Sequence, residues 1–160
     1  MTNTLLNTIN WFAEAIPQST ITKKKQAVQL GVHVEEFVEM LETIRVQGVD
    51  TQIAQAIDLL TGIADHLKKN ATGFIITDRK EFLDAMVDQI VTASGTGFLQ
   101  GMDIVGGLNE INGSNYSKFK DGKAVFDANG KIAKNPDTYY KADLSNFVGI
   151  DVTELSNPPL

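Results

Sequence analysis

Apolar residues recurring at alternating steps of four and three are the feature that most limits what this chain can become. Leu30, Val34, Phe37, Leu41 and Ile44 form one such stripe, and Ile53, Ile57, Leu60, Ala64 and Leu67 form another. That spacing puts the side chains on one face of an α-helix, and the face needs a second helix to cover it. The first stripe predicts a helix over about 23–46 with Gly48 as its stop, and the second a helix over about 51–69. Lys68 and Lys69 then sit at the negative end of the later helix. Shorter patterns flank this pair. Leu5, Leu6, Ile9 and Phe12 give a helix that Pro17 ends, because proline has no amide to donate. Asp78 with Glu81 is a capping-box arrangement opening a fourth helix, whose apolar face is Leu83, Met86, Val87, Ile90 and Val91. Gly95, Gly97 and Gly101 close that pattern, or permit close helix contact. Asp103 caps a fifth helix, with Ile104, Val105, Leu108 and Ile111 inward.

After Asn112 the character changes. Ala124-Val125-Phe126 and Lys131-Ile132-Ala133 flank Asp127-Ala128-Asn129-Gly130 in the manner of a small β-hairpin, and Pro136, Pro158 and Pro159 punctuate the rest. Short connections favour antiparallel neighbours. The expected fold is all-α: an antiparallel four- or five-helix bundle over about 5–119, then a β-hairpin and an extended tail over about 120–160. A length of 160 residues fits a single domain spanning 1–160. Absence of cysteine removes disulfides, thiolate metal sites and thiol nucleophiles together. A net charge of −6 argues against nucleic acid or an anionic membrane as a partner. No apolar run approaches the roughly 18 residues that cross a bilayer. The first residues carry no basic n-region, so the expected location is the cytoplasm, that of the host if a phage encodes the chain.

Two acidic clusters stand out. Glu35, Glu36 and Glu39 project toward one patch of the second helix, with Phe37 and Leu41 left to pack on the other side. No basic residue lies one turn further on to pair with them. Like charges at this spacing cost about 0.2–0.5 kcal/mol per pair in an isolated helix. On the fourth helix Glu81, Asp84 and Asp88 are spaced three and four apart, and Asp88 is surrounded in sequence by apolar residues. A carboxylate buried in such surroundings must be hydrated, paired or metal-bound. A charge run on a helix is ordinarily a solvated face, and Glu81 is already accounted for as the capping partner. Two acidic helices in one bundle are nonetheless a known way to build a divalent-metal site, and an all-oxygen donor set suits Mg²⁺ or Mn²⁺ over zinc.

The third informative stretch is Asn109 to Phe119, dense in amides and hydroxyls and ending in Lys118. Such groups suit a sugar, a base edge or a phosphate, or else serve only to tie off a helix C-terminus. Lys123, Lys131 and Lys134 follow as further point charges for phosphate.

Glu35-Glu36-x-x-Glu39, the acidic pair in Asp84-Ala85-Met86-Val87-Asp88, and Asn112-Gly113-Ser114-Asn115-Tyr116-Ser117-Lys118-Phe119 together resemble the all-α nucleoside triphosphate pyrophosphohydrolases. The branch is the MazG-like and phosphoribosyl-ATP pyrophosphohydrolase-like one, especially its short phage-type members. The resemblance runs from about Gln26 to Leu144. The family's second motif is commonly ExxD, whereas the hydrophobic register here favours Asp84-x-x-x-Asp88. Asp88 is therefore the first choice for that ligand and Asp84 the second.

The resemblance implies hydrolysis of a (deoxy)nucleoside triphosphate to the monophosphate and pyrophosphate, with two or three Mg²⁺ or Mn²⁺ ions. Glu35, Glu36, Glu39 and Asp88 or Asp84 would hold the cations, or Glu36 would orient or deprotonate the attacking water in place of ligating metal. Lys118, with Lys131 or Lys134, would stabilise leaving-group charge. Asn112, Ser114 and Asn115 fall in the segment for sugar or phosphate contacts. Trp11 is a candidate to stack on the base, against the plainer reading of a core aromatic. The resemblance also favours a purine deoxynucleotide, dGTP first, and assembly as a homodimer or homotetramer. The alternatives are housecleaning of non-standard or pyrimidine triphosphates such as dUTP, and a non-catalytic nucleotide- or metal-binding helical module.

Overall fold

The computed structural model describes residues 3–69, 73–127 and 132–150. Among them the regular structure is helical, with five α-helices: α1 (Thr4–Ala15), α2 (Lys23–Glu42), α3 (Asp50–Lys69), α4 (Arg79–Leu99) and α5 (Ile104–Tyr116). Side-chain caps fix the starts of four of them. Asn3, Thr22, Asp78 and Asp103 each accept a hydrogen bond from an amide in the first turn that has no helical partner. None of these helices is long and apolar enough to cross a membrane. The chain divides into two compact units, one holding α2 and α3, the other α1, α4, α5 and the segment after them.

In the first unit α2 and α3 pack as a helical hairpin. The face expected for α3 is the one observed, with Ala64 buried and Ile53, Ile57, Leu60 and Leu67 half-buried. On α2 the expected stripe holds at Leu30, Val34 and Leu41, which are half-buried, and fails at Phe37 and Ile44, which are exposed. Ala27, Gly31 and Val38 are buried, while Phe37 is 49% exposed. The reason lies at Gly31. A methyl group there would stand 2.8 Å from the Ala64 carbonyl oxygen, 2.9 Å from Lys68 Cγ and 3.1 Å from Leu67 Cβ. The helices meet where their residues are smallest, and that contact, not the bulk of Phe37, chooses the inward face. The helix also stops at Glu42, before the expected 46, and Gly48 serves the following turn at φ +85°.

The other unit is organised by hydrogen bonds along α5. The Asn112 carboxamide is buried between α5 and α1: its Nδ2 donates to the Thr4 carbonyl at 3.1 Å and its Oδ1 accepts from Thr8 Oγ1 at 3.0 Å. Trp11 and Ala15 of α1 pack with Phe119 just beyond the helix. Residues 132–150 run back along α5. Asn135 Nδ2 donates to the Phe119 carbonyl, Thr138 Oγ1 to the Ser117 carbonyl and Ser114 Oγ to the Tyr140 carbonyl. Further along, the Asp143 amide donates to Glu110 Oε1 and the Asp103 amide to the Phe147 carbonyl.

Several expected inward faces are instead exposed. Leu5, Leu6 and Ile9 of α1, Leu83, Val87, Ile90 and Val91 of α4, and Ile104, Val105 and Ile111 of α5 all meet solvent. Helix α4 runs through Gly95 and Gly97 to Leu99, and Gly101 at φ +74° follows its end. The expected β-hairpin is not a pair of strands among the described residues. It is reduced to one isolated bridge, Phe126 with Ile132, and its turn residues 128–130 and flanking Lys131 lie outside the described residues, as does the tail from 151; a separate bridge joins Lys120 and Lys123.

Gly31→Ala tests the close approach. Overpacking of about 1–3 kcal/mol should outweigh the roughly 1 kcal/mol that alanine gains in helix propensity. The urea midpoint is expected to fall, and an unchanged midpoint would mean that α3 stands further from α2.

Candidate functional site

The carboxylates of α2 follow from the register just described. With Val38 inward, Glu35 falls at the edge of the helix contact and is half-buried, while Glu36 and Glu39 are exposed. Glu35 has a partner that the sequence did not reveal. Lys68 Nζ of α3 lies 2.7 Å from its Oε1, with the two side chains 20% and 35% exposed. Lys68 also stands 3.4 Å from Asp65 Oδ1, and Lys69 lies 2.7 Å from Asp65 Oδ2. The hydrogen bond to Glu35 raises the Lys68 pKa above its usual value, burial opposing and Asp65 adding to it. The Lys69 hydrogen bond and charge, and then Lys68, hold the Asp65 carboxyl below the usual range.

On α4, Asp84 and Asp88 are exposed, as is Glu81. Asp88 is not crowded by its apolar neighbours as its sequence surroundings suggest, because Leu83, Val87 and Val91 are themselves exposed. Asp88 is solvated. Glu81 Oε1 is 3.9 Å from Lys80 Nζ, a loose surface pair. Among the described residues, no three His, Cys, Asp or Glu side chains are grouped closely enough to hold a metal ion. Glu35, Glu36 and Glu39 supply oxygen donors along one helix but are not gathered into one cluster.

The segment after α5 gathers the cationic part of the prediction. Lys118 is half-buried, its Nζ donating to Asn115 Oδ1 at 2.7 Å and lying 6.0 Å from the centre of the Trp11 ring. Burial pushes its amine below the usual value; Tyr139 opposes this, and the Lys134 ammonium adds to it. Lys134 Nζ sits 4.9 Å from the Tyr139 ring centre. Lys118, Asn115, Lys134 and Trp11 thus share one corner, while Lys131 lies outside the described residues. Trp11 is a core side chain and not a free platform. Its ring is stacked on Phe119 at 6.2 Å and meets Phe12 edge-on at 4.9 Å. The indole Nε1 is buried and finds no hydrogen-bond partner among the described residues. Asn112 and Ser114 are committed to holding Thr4, Thr8 and Tyr140, so their polar atoms serve the fold.

Sequence reasoning missed Lys68, Asn135 and Tyr139. In the sequence Lys68 is only a helix-end charge, and its alignment with Glu35 depends on the contact at Gly31. Comparison of the chain with protein-family models, with curated proteins and with solved structures finds no match in any of the three.

Two substitutions separate structure from chemistry in this corner. Asn112→Ala removes the buried carboxamide from the Thr4 carbonyl and the Thr8 hydroxyl, which keep only their 3.3 Å bond to each other, and should cost about 1–3 kcal/mol in urea unfolding. Lys118→Met removes a charge whose burial is unfavourable, so its Tm at pH 7 should be no lower than wild type. A native pKa below the unfolded one means that the unfolded state binds more protons in between. Wild-type stability therefore rises across that window, and the advantage of Lys118→Met should shrink as pH approaches 10.5. A gap between the two Tm values that widens with pH would contradict the assignment.

Proposed function

We propose that the chain is a metal-dependent nucleoside triphosphate pyrophosphohydrolase, releasing pyrophosphate and a nucleoside monophosphate, with a purine deoxynucleotide, dGTP first, as substrate. The observation that carries this reading is the set of carboxylates on one flank of α2, two of them solvent-facing and one on the edge of the helix contact. A chain of net charge −6 that handles a polyanion needs cations, and this flank offers oxygen donors for them. Glu35, Glu36 and Glu39 of α2 are the proposed ligands for Mg²⁺ or Mn²⁺, two or three ions per site, and Asp88, or else Asp84, is the further ligand that the resemblance implies. Bound there, the cations would neutralise triphosphate charge and polarise the phosphoryl oxygens.

The chain's own residues supply the remainder. Glu36 accepts a proton from the water that adds to the α-phosphorus, and the bond from that phosphorus to the bridging oxygen breaks as pyrophosphate departs. Lys118, already partly desolvated and steadied by Asn115, presents positive charge to the leaving group, with Lys134 beside it. An antiparallel bundle is the finer form of the helical fold that goes with this reading. Assembly as a homodimer or homotetramer goes with it too, supported by the exposed Leu6 and Ile9 of α1 and Leu83, Val91 and Phe98 of α4.

Pyrophosphate release, measured with each deoxynucleoside triphosphate in Mn²⁺, tests the activity. One strong purine substrate supports the proposal. Turnover of several substrates, or of dUTP, points to housecleaning, and binding without turnover leaves a nucleotide-binding module. Glu36→Gln and Glu39→Gln should each lower kcat by about 10²–10⁴-fold with the fold intact. Near-wild-type turnover in either would overturn the ligand assignment. Lys118→Ala should cost less, and an unchanged rate would remove Lys118 from the site. Light scattering should give a dimer or tetramer; a compact monomer at micromolar concentration would count against assembly.

A further inference from the structure

The α2–α3 hairpin has two unlike faces. The bond from Lys68 to Glu35, at 2.7 Å, puts the charged flanks of both helices on one side. Glu39 and Glu42 continue that flank along α2, and Asp65 accompanies Lys68 on α3. At about 100° per residue, Phe37, Met40 and Ile44 of α2 and Leu59 and Ile63 of α3 turn to the opposite side. Their steps of three and four make a second apolar stripe on each helix, beside the one that closes the hairpin. All five are exposed, Leu59 at 68%. The polar positions that continue these stripes, Gln26 and His33 on α2 and Gln52 and His66 on α3, are amides and imidazoles, not carboxylates or ammonium groups. Between the two helices the buried side chains are small: Ala27, Gly31, Val38 and Ala64. A seam that thin leaves most of the core to be supplied by a further layer.

We propose that the apolar face of the hairpin docks on the same face of a second copy of the chain, the two hairpins closing into a four-helix bundle. In such a bundle each helix packs against two neighbours and uses one stripe for each. Charge selects the occupant. The chain carries a net −6, so two copies repel wherever their carboxylates approach. On this face they meet without taking water from a charged group. A two-fold contact also presents each stripe with a surface of the same composition. With the exposures observed, pairing would bury about 1,000 Å² from the two copies, the area at which a specific interface begins. The inference rests on the assembly part of the proposed function, to which it gives a surface, and not on the activity.

Sedimentation velocity of the full-length chain, from nanomolar to high micromolar concentration, tests it. Leu59→Glu puts a carboxylate on the apolar face of each copy and should weaken association through that face by at least about 100-fold. Its helical circular dichroism should match wild type, because the side chain is exposed in the single chain. Ile75→Glu adds the same charge at a residue 70% exposed outside the two helices, and should change association by less than about twofold. A second readout adds no charge. The chain has no cysteine, so Ile63→Cys places a single thiol on the face. Its rate of maleimide labelling should fall several-fold as the chain concentration passes through the association range, while Ile75→Cys labels at one rate throughout. A tetramer that falls to a dimer in Leu59→Glu, or a dimer that falls to a monomer, supports the inference. Unchanged association in Leu59→Glu, or Ile63→Cys labelling that ignores concentration, overturns it and leaves assembly through α1 or α4 standing. A wild-type monomer at every concentration overturns both.

Discussion

The buried carboxamide of Asn112 is the contact on which the unit built around α5 depends. It gives α1 a fixed place by satisfying two groups near the helix start, the Thr4 carbonyl and the Thr8 hydroxyl. A buried polar contact of this sort tolerates one orientation, because any rotation of α1 would leave donors and acceptors unpaired in a dry environment. The rotation it selects turns Trp11 and Ala15 inward and sends Leu5, Leu6 and Ile9 outward. Helix α5 uses Ser114 and Glu110, with Ser117 at its C-cap, to hold the segment that follows. Gly113 belongs to this scheme, since Tyr140 Oη occupies the space where a side chain would stand. Lys118 reaches its corner as a consequence, carried between Asn115 and the Trp11 ring by the end of a helix already fixed on two sides.

In the α2–α3 hairpin the ordering element is a close approach of backbones in place of a buried amide. Small residues at Ala27, Gly31 and Ala64 let the helices come near enough for a lysine stem to lie across the seam. Electrostatics then follows geometry. Once Gly31 fixes the seam, Glu35 is at its edge, Lys68 is within reach, and Glu39 and Glu36 are turned progressively toward water.

What the sequence disclosed and what it hid divide along that line. Helix starts were legible because they are written locally. Asp78 and Asp103 accept amide hydrogen bonds within three residues, and no distant partner is needed to recognise the pattern. The α3 face was legible because Ile53, Ile57, Leu60, Ala64 and Leu67 lie on one stripe, longer than the Leu59 and Ile63 beside it, which are exposed. On α2 the stripe was legible at Leu30, Val34 and Leu41 but not at its next step, where hydrophobicity favours Phe37 and the structure buries Val38, in line with the small Ala27 and Gly31 that let α3 approach. The amides and hydroxyls of 112–117 were ambiguous in principle, since a group able to bind a sugar can equally bind a neighbouring backbone. Lys68 was hidden because its partner is thirty-three residues away, and no local rule pairs them. The acidic flank itself was plain in the sequence, being a matter of spacing along one helix.

The faces left open on α4 connect the charge pattern with the apolar pattern. Leu83, Val87 and Val91 alternate with Asp84 and Asp88 along its exposed surface. Covering those apolar side chains is favourable by about 25 cal/mol per Å². Any surface that covers them also takes water from the carboxylates beside them, and an unpaired desolvated carboxylate costs several kcal/mol. The two terms have opposite sign and share the same few residues. Burial of this helix is therefore favoured when positive charge arrives with the covering surface, whether from a basic side chain or from a divalent cation. On the proposed reading it is the cation, and linkage then makes the effect reciprocal: whatever covers α4 tightens cation binding by the same factor that the cation tightens the covering.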